Sequence, residues 1–227
     1  YVDTARVYQD GEDERLIGQA IAGKRHALIV ASKSGKRDAK GAREDLEMSL
    51  RLLGTDYLDI WHLHHLNTAP EREQALGPGG AYEAAVKARE QGLIRFIGVT
   101  GHNWAEIGKA AATGLFDNVL CWYNSAMKEP EELIFPHTQQ YNMGVAIMSA
   151  ARNDRLFKQP DAPPPEAFYR YVLSHSAVHV ALLGLRSVEV FRQVAAALSE
   201  RDTLLPGEKE ALEAYGARLR AEGKLDI

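Results

Sequence analysis

The chain has 227 residues, 45% of them hydrophobic and 26% charged, which suits one globular domain over 1–227 with a sizeable core. A net charge of −4 argues against a nucleic-acid partner, and no apolar run approaches the ~18 residues of a membrane span. Cys121 is the single cysteine, which excludes intrachain disulfides and thiolate metal clusters and fits a reducing cytoplasm.

The opening "YVD" reads as a strand end, with Asp3 at its tip and Tyr8 in the following loop. "ALIVASK" reads as a buried strand ending at Lys33, and "AREDLEMSLRLLG" as a helix with Leu46, Leu50 and Leu53 at helical spacing and Gly54 as its stop. "DYLDIWHLHHL" is a strand carrying His62, His64 and His65, followed by the long loop from His65 to Gly80 and the helix "GGAYEAAVKAREQG". "LIRFIGVT" is a strand ending at Thr100, with His102 just beyond, and "NWAEIGKAAATG" is a helix capped by Asn103. "NVLCWYN" with "EPEELIFPHTQQYN", "GVAIMSA" with "PPEAFYRYVLSH", and "VHVALLGL" with "VEVFRQVAAALSE" repeat the pair, and an accessory helix over 207–221 closes the chain.

Strands alternating with helices predict a parallel α/β sheet. No G-x-G-x-x-G follows the first strand, so the pattern favours a (β/α)8 TIM barrel over a doubly wound sheet. Seven units are one short of eight. The expectation is a barrel lacking its first strand–helix unit, two sheet edges left open, and roughly 30 or more further N-terminal residues in the natural protein.

In such a barrel the chemistry collects at the C-terminal ends of the strands. Asp3, Lys33 and the histidines His62, His64 and His65 lie there on three successive strands, with Tyr8 in the first loop. Strand alternation puts Lys33 on the face of Ala31, and His64 on the face of His62 and Ile60. Singly, such residues read as a solvated lysine, a capping aspartate and a half-buried tyrosine. It is the set that points to a site.

The sequence resembles the aldo-keto reductase family in "DTARVY", "ERLIGQAI", "VASK", "LGTDYLDIWHLH", "GLIRFIGVTGHN" and "LLGLRSVEVF". The resemblance implies a (β/α)8 barrel that reduces an aldehyde or ketone with NADPH (or NADH). It implies a catalytic set of Tyr8 as proton donor with Asp3, Lys33 and His64. A buried ammonium beside the phenol would lower its pKa, and Asp3 would keep Lys33 charged. The cofactor residues it implies are Thr100, Met148, Ser149, Gly184, Arg186 and Ser187, the last three opening a helix whose amides attract phosphate.

Several positions depart from the family pattern. Thr100–Gly101 stands where many members have Ser-Asn, Leu120 where many have Gln, Met148 where an aromatic often stacks on nicotinamide, and Val190 in place of an Arg for the 2′-phosphate. The "GVTGHN" form resembles a bacterial branch that often carries an iron-sulfur tail, whose cysteines this sequence lacks. Arg152 and Arg155 read either as contacts to the cofactor pyrophosphate or as solvated cations. The expected partner is a small carbonyl substrate, with no nucleic acid, membrane or metal. Two other readings compete. One is a metal-dependent barrel hydrolase using the His62-x-His64 pair with His102. The other is a cofactor-binding, non-catalytic sensor subunit.

Overall fold

The computed structural model of the chain describes residues 1–152, 154–184 and 187–225. It contains seven strands: β1 Val2–Asp3, β2 Val30–Ser34, β3 Leu58–Leu63, β4 Ile94–Thr100, β5 Asn118–Trp122, β6 Gly144–Met148 and β7 Val180–Ala181. All neighbours pair in parallel, and the order β1 to β7 follows the chain. Each crossover therefore steps the same way, as in a (β/α)8 barrel, without the reversal of a doubly wound sheet. Among the described residues β1 and β7 are the two sheet edges and do not pair with each other.

Among the described residues ten α-helices accompany the strands: α1 Glu12–Ile21, α2 Ala39–Leu53, α3 Ala69–Leu76, α4 Ala81–Glu90, α5 Trp104–Ala111, α6 Pro130–Leu133, α7 Phe135–Gln140, α8 Pro165–Leu173, α9 Val188–Glu200 and α10 Glu208–Ala221. Helix stops obey local chemistry. Gly54 ends α2 at φ 62, a left-handed conformation that costs glycine little. α10 starts from Gly207 and anchors itself through Tyr215 Oη donating to Leu156 O at 2.8 Å.

Three expectations needed revision. β2 begins at Val30 because Arg25–Ala27 forms a 3-10 turn, in which Arg25 donates to the carbonyls of Leu28 and Tyr57. "EPEELIFPHTQQYN" splits into α6 and α7, since Ile134 leaves helical geometry at φ −123 and Pro136 carries no N–H. The loop from His65 to Gly80 hides α3, whose start is fixed by a capping box between Thr68 and Glu71.

Strand alternation separates two buried faces. Val30, Trp61, Leu63, Ile97, Val99, Val119, Val145 and Ile147 join Leu46, Leu53 and Ile107 in the core between sheet and helices. Burying a side chain such as Leu46 contributes about 1.5–3 kcal/mol. The opposite face carries Ala31, Lys33, Ile60, His62, Leu120 and Ala146, all buried. The sheet curls enough for His62 Nε2 on β3 to donate to Asn118 Oδ1 on β5 at 2.7 Å.

Gly98 makes room for that ring. It stands opposite His62 in the β3–β4 register, and a Cβ there would come 2.4 Å from His62 Cδ2. Gly98→Ala should therefore destabilise the fold by about 1–3 kcal/mol, the range for overpacked cores. Thermal unfolding tests this; an unchanged Tm would show that the ring has room to move.

Candidate active site

The site begins where β1 runs out. Beyond Asp3 the chain still follows β2 through backbone bonds, Thr4 N to Ala31 O and Arg6 N to Lys33 O, both 3.0 Å. It then turns through a 3-10 segment, Tyr8–Gly11, with Gln9 and Asp10 left-handed at φ 48 and 54. The first turn of α1 ties this loop down: Thr4 Oγ1 donates to Asp13 at 2.6 Å, and Arg6 lies 3.8 Å from Glu14. Glu14 is itself buried and accepts from Ser32 Oγ at 2.6 Å.

Inside this frame Lys33 is 1% exposed, and its Nζ donates to Asp3 Oδ2 and to Thr4 O, both at 2.6 Å. The same nitrogen lies 5.2 Å from the centroid of the Tyr8 ring. The Tyr8 ring meets the His64 ring edge-on at 6.0 Å between centroids. His64 follows the last residue of β3 and is buried. The fold thus brings together all four residues of the predicted catalytic set. Tyr8, 39% exposed, is the member most open to a ligand.

The electrostatics correct one expectation. Burial pushes the Lys33 ammonium down and the Asp3 carboxyl up, and each opposes that shift in the other. The Tyr8 phenol is pushed up to about 12, by burial first and then by Asp3 and Asp13. Tyr8 therefore keeps its proton at neutral pH. His64 falls to about 2, through burial first and then His65, Lys33, His62 and His102, so its imidazole is neutral.

The predicted cofactor residues divide. Met148, Ser149 and Gly184 line one cavity of about 230 Å³ at the ends of β6 and β7, together with Ala150, Ala151, Asp154, Tyr169 and Leu182. Ser149 is left-handed at φ 61, and its carbonyl accepts from Asn124 Nδ2 at 3.0 Å. Thr100 is buried at the end of β4 and does not line that cavity. Ser187 caps α9 by accepting from Val190 N at 3.4 Å. Arg186 lies outside the described residues. The small side chains Ser149, Ala150, Ala151 and Gly184 suit close approach of a flat, polar group, with Met148 as an adaptable apolar contact.

A model of the aldo/keto reductase family matches residues 1–159. The chain belongs to the aldo/keto reductase family. Methylglyoxal reductase YeaE of Escherichia coli is 32% identical over 162 residues, 65% of this chain and 51% of that protein. Aldo-keto reductase AKR2E4 of Bombyx mori is 29% identical over 182 residues, 74% of this chain and 57% of its own. The chain thus spans about half the length of the curated relatives it matches. An aldo-keto reductase from Klebsiella pneumoniae solved with NADPH aligns at TM-score 0.77 and 27% identity, over 99% of this chain and 82% of that one. The holo form of AKR11C1 from Bacillus halodurans, 24% identical, shares the fold at TM-score 0.79 over 95% of this chain and 82% of its own.

Sequence reasoning missed part of the mouth of this aldo/keto reductase barrel. His65 stacks on His64 at 3.7 Å between ring centroids, His102 meets His65 edge-on at 5.0 Å, and Trp122 stacks on His102 at 4.3 Å. Arg152 is buried, with its Cζ 4.5 Å from the Trp122 ring centroid, so it is not the solvated cation one reading of its segment allowed. Arg155 is exposed. Of the H-x-H pair, His62 already commits Nε2 to Asn118. Among the described residues no group of three or more His, Cys, Asp or Glu side chains is arranged to hold a metal ion. No helix among them is long and apolar enough to cross a membrane.

The buried imidazoles make stability depend on pH. Burial, then Lys33, hold His62 down to about 3, against an ordinary value near 6.5. Between those values the unfolded chain holds a proton on the ring that the folded chain does not. Acidification from about pH 6.5 downward should therefore drain stability, by up to about 1.4 kcal/mol per pH unit per ring. Urea midpoints at pH 7.5 and 4.5 should fall further for the wild type than for His62→Gln. Equal losses would remove His62 as the cause.

Proposed function

We propose that the chain reduces the carbonyl group of a small aldehyde or ketone, with NADPH or NADH as hydride source and Tyr8 as proton donor. The observation that supports this best is the buried Lys33–Asp3 contact at 2.6 Å with the Tyr8 and His64 rings gathered around it. The NADPH held by the Klebsiella relative and the methylglyoxal reductase name of the Escherichia coli relative agree with it.

Met148, Ser149 and Gly184 would hold the nicotinamide end of the dinucleotide, with Ser187 and the first amides of α9 toward its phosphates. When bound, the dinucleotide supplies a hydride to the carbonyl carbon. Charge then develops on the carbonyl oxygen, and Tyr8, protonated at neutral pH, donates its proton there. The phenolate left behind faces the Lys33 ammonium, which opposes its new charge. His64 is neutral, so it serves as a hydrogen-bond donor to the carbonyl oxygen and not as the acid. Its Nδ1 is buried without a partner, so Nε2 is the atom proposed to carry the proton toward the carbonyl oxygen. A cytoplasmic setting belongs to this reading, as Cys121 is free and buried.

The test is fluorescence titration with both dinucleotides, followed by turnover on an aldehyde panel headed by methylglyoxal. Tyr8→Phe should lower kcat by about 10²-fold or more, the scale of general acid catalysis, with cofactor Kd unchanged. Full turnover by Tyr8→Phe would remove Tyr8 from the reaction.

A further inference from the structure

Arg37 lies in "SGKRDAK", just beyond β2, and its side chain is only 13% exposed. Its Nη1 donates to Gly35 O at 2.9 Å and to His64 O at 2.7 Å. Its Nη2 donates to His65 O at 2.7 Å and to Glu71 Oε1 at 3.3 Å. Three carbonyls from two loops thus converge on one guanidinium, whose planar fork of donors suits this and a lysine's point charge does not. The base of the clamp is fixed as well, since Arg37 O accepts from Ala81 N at 2.8 Å. Its far end is fixed by Glu71, whose other oxygen accepts from Asn67 N and Thr68 N at 3.0 Å.

The turn it grips is strained. His65 sits at φ 57, left-handed for a residue that is not glycine. That conformation folds the His65 ring back onto His64, 3.7 Å between centroids and 19° between planes. On its other side His64 meets Tyr8, and its own amide donates to Ser34 O at 2.9 Å. We propose that Arg37 is a positioning residue: by gripping the carbonyls of Gly35, His64 and His65 it holds the left-handed turn, keeps the His65 ring over His64, and presents the His64 imidazole in one water-shielded orientation.

The chemical consequence concerns protonation. Burial acts most on His64, followed by His65 from the loop after β3, Lys33 from β2, His62 from β3 and His102 from the loop after β4, all in the same direction. The Tyr8 ring from the first loop covers another edge. Release of the turn would hydrate the ring and let its pKa rise toward the ordinary value of about 6.5. His64 would then charge in the physiological range. This bears on catalysis only if His64 serves the carbonyl as proposed above, so the decisive readout is the imidazole itself.

The experiment follows imidazole 15N shifts between pH 5 and 8 in the histidine-labelled full chain. In the wild type His64 should not titrate. In Arg37→Met it should titrate with a midpoint between about pH 5 and 7, while His62, bonded to Asn118 in the core, stays silent and reports an intact fold. A silent His64 beside a silent His62 in Arg37→Met overturns the proposal. If Arg37→Met does not fold, Arg37→Lys is read in the same way, because one ammonium cannot span three carbonyls. Turnover is followed in parallel. A titrating His64 with an unchanged pH–kcat profile would uphold the clamp and count against the carbonyl-binding role of His64. A titrating His64 with kcat falling several-fold below the new midpoint would uphold both.

Discussion

The site depends on one contact, the buried ion pair of Lys33 and Asp3. A lysine that is 1% exposed cannot keep its charge without a close partner, and a carboxylate 2.6 Å away with a carbonyl at the same distance provides one. Lys33 and Asp3 stand on adjacent strands, so the contact forms only in the register that sets Asp3 beside Ala31. A slip of one residue would turn Asp3 toward the helices. The same register sends the chain on along β2 until Arg6 meets Lys33 O, and so delivers Tyr8 above the pair.

The acids around this pair act twice. Asp3, Asp13 and Glu14 favour the Lys33 ammonium against its burial, while Asp3 and Asp13 add to the burial that disfavours the Tyr8 phenolate. A single field therefore favours a charged Lys33 and a protonated Tyr8. Both follow from placing the acidic first turn of α1 against the end of β1, where Thr4 and Arg6 bind it.

The imidazoles form a second system. His62 and His64 point to the same face of β3, and burial keeps both neutral. The lower ring is held by Asn118 across the sheet and accommodated by the missing side chain of Gly98. The upper ring is held by its neighbours at the mouth. A polar column thus rises through an apolar interior, its imidazoles held neutral.

The sequence by itself determined the alternation of strands and helices, because buried strands and amphipathic helices demand different apolar periods. It also offered polar residues at the strand ends, from which the family resemblance, and not strand geometry, picked out Asp3, Lys33 and His64 together with Tyr8. It left α3 hidden, a helix of eight residues with Ala75 as its one buried member and hence almost no apolar period. Only the tertiary structure decided the state of Tyr8, because burial comes first and Asp13 from α1 adds to the effect of Asp3. Only the tertiary structure revealed the cavity shared by Met148, Ser149 and Gly184, which two different strand ends must build together. It alone distinguished Arg37 from a surface cation, as the His64 and His65 carbonyls it holds lie 27 and 28 residues along the chain. A charge's partners are set by where the fold puts distant backbone, and no local pattern records that.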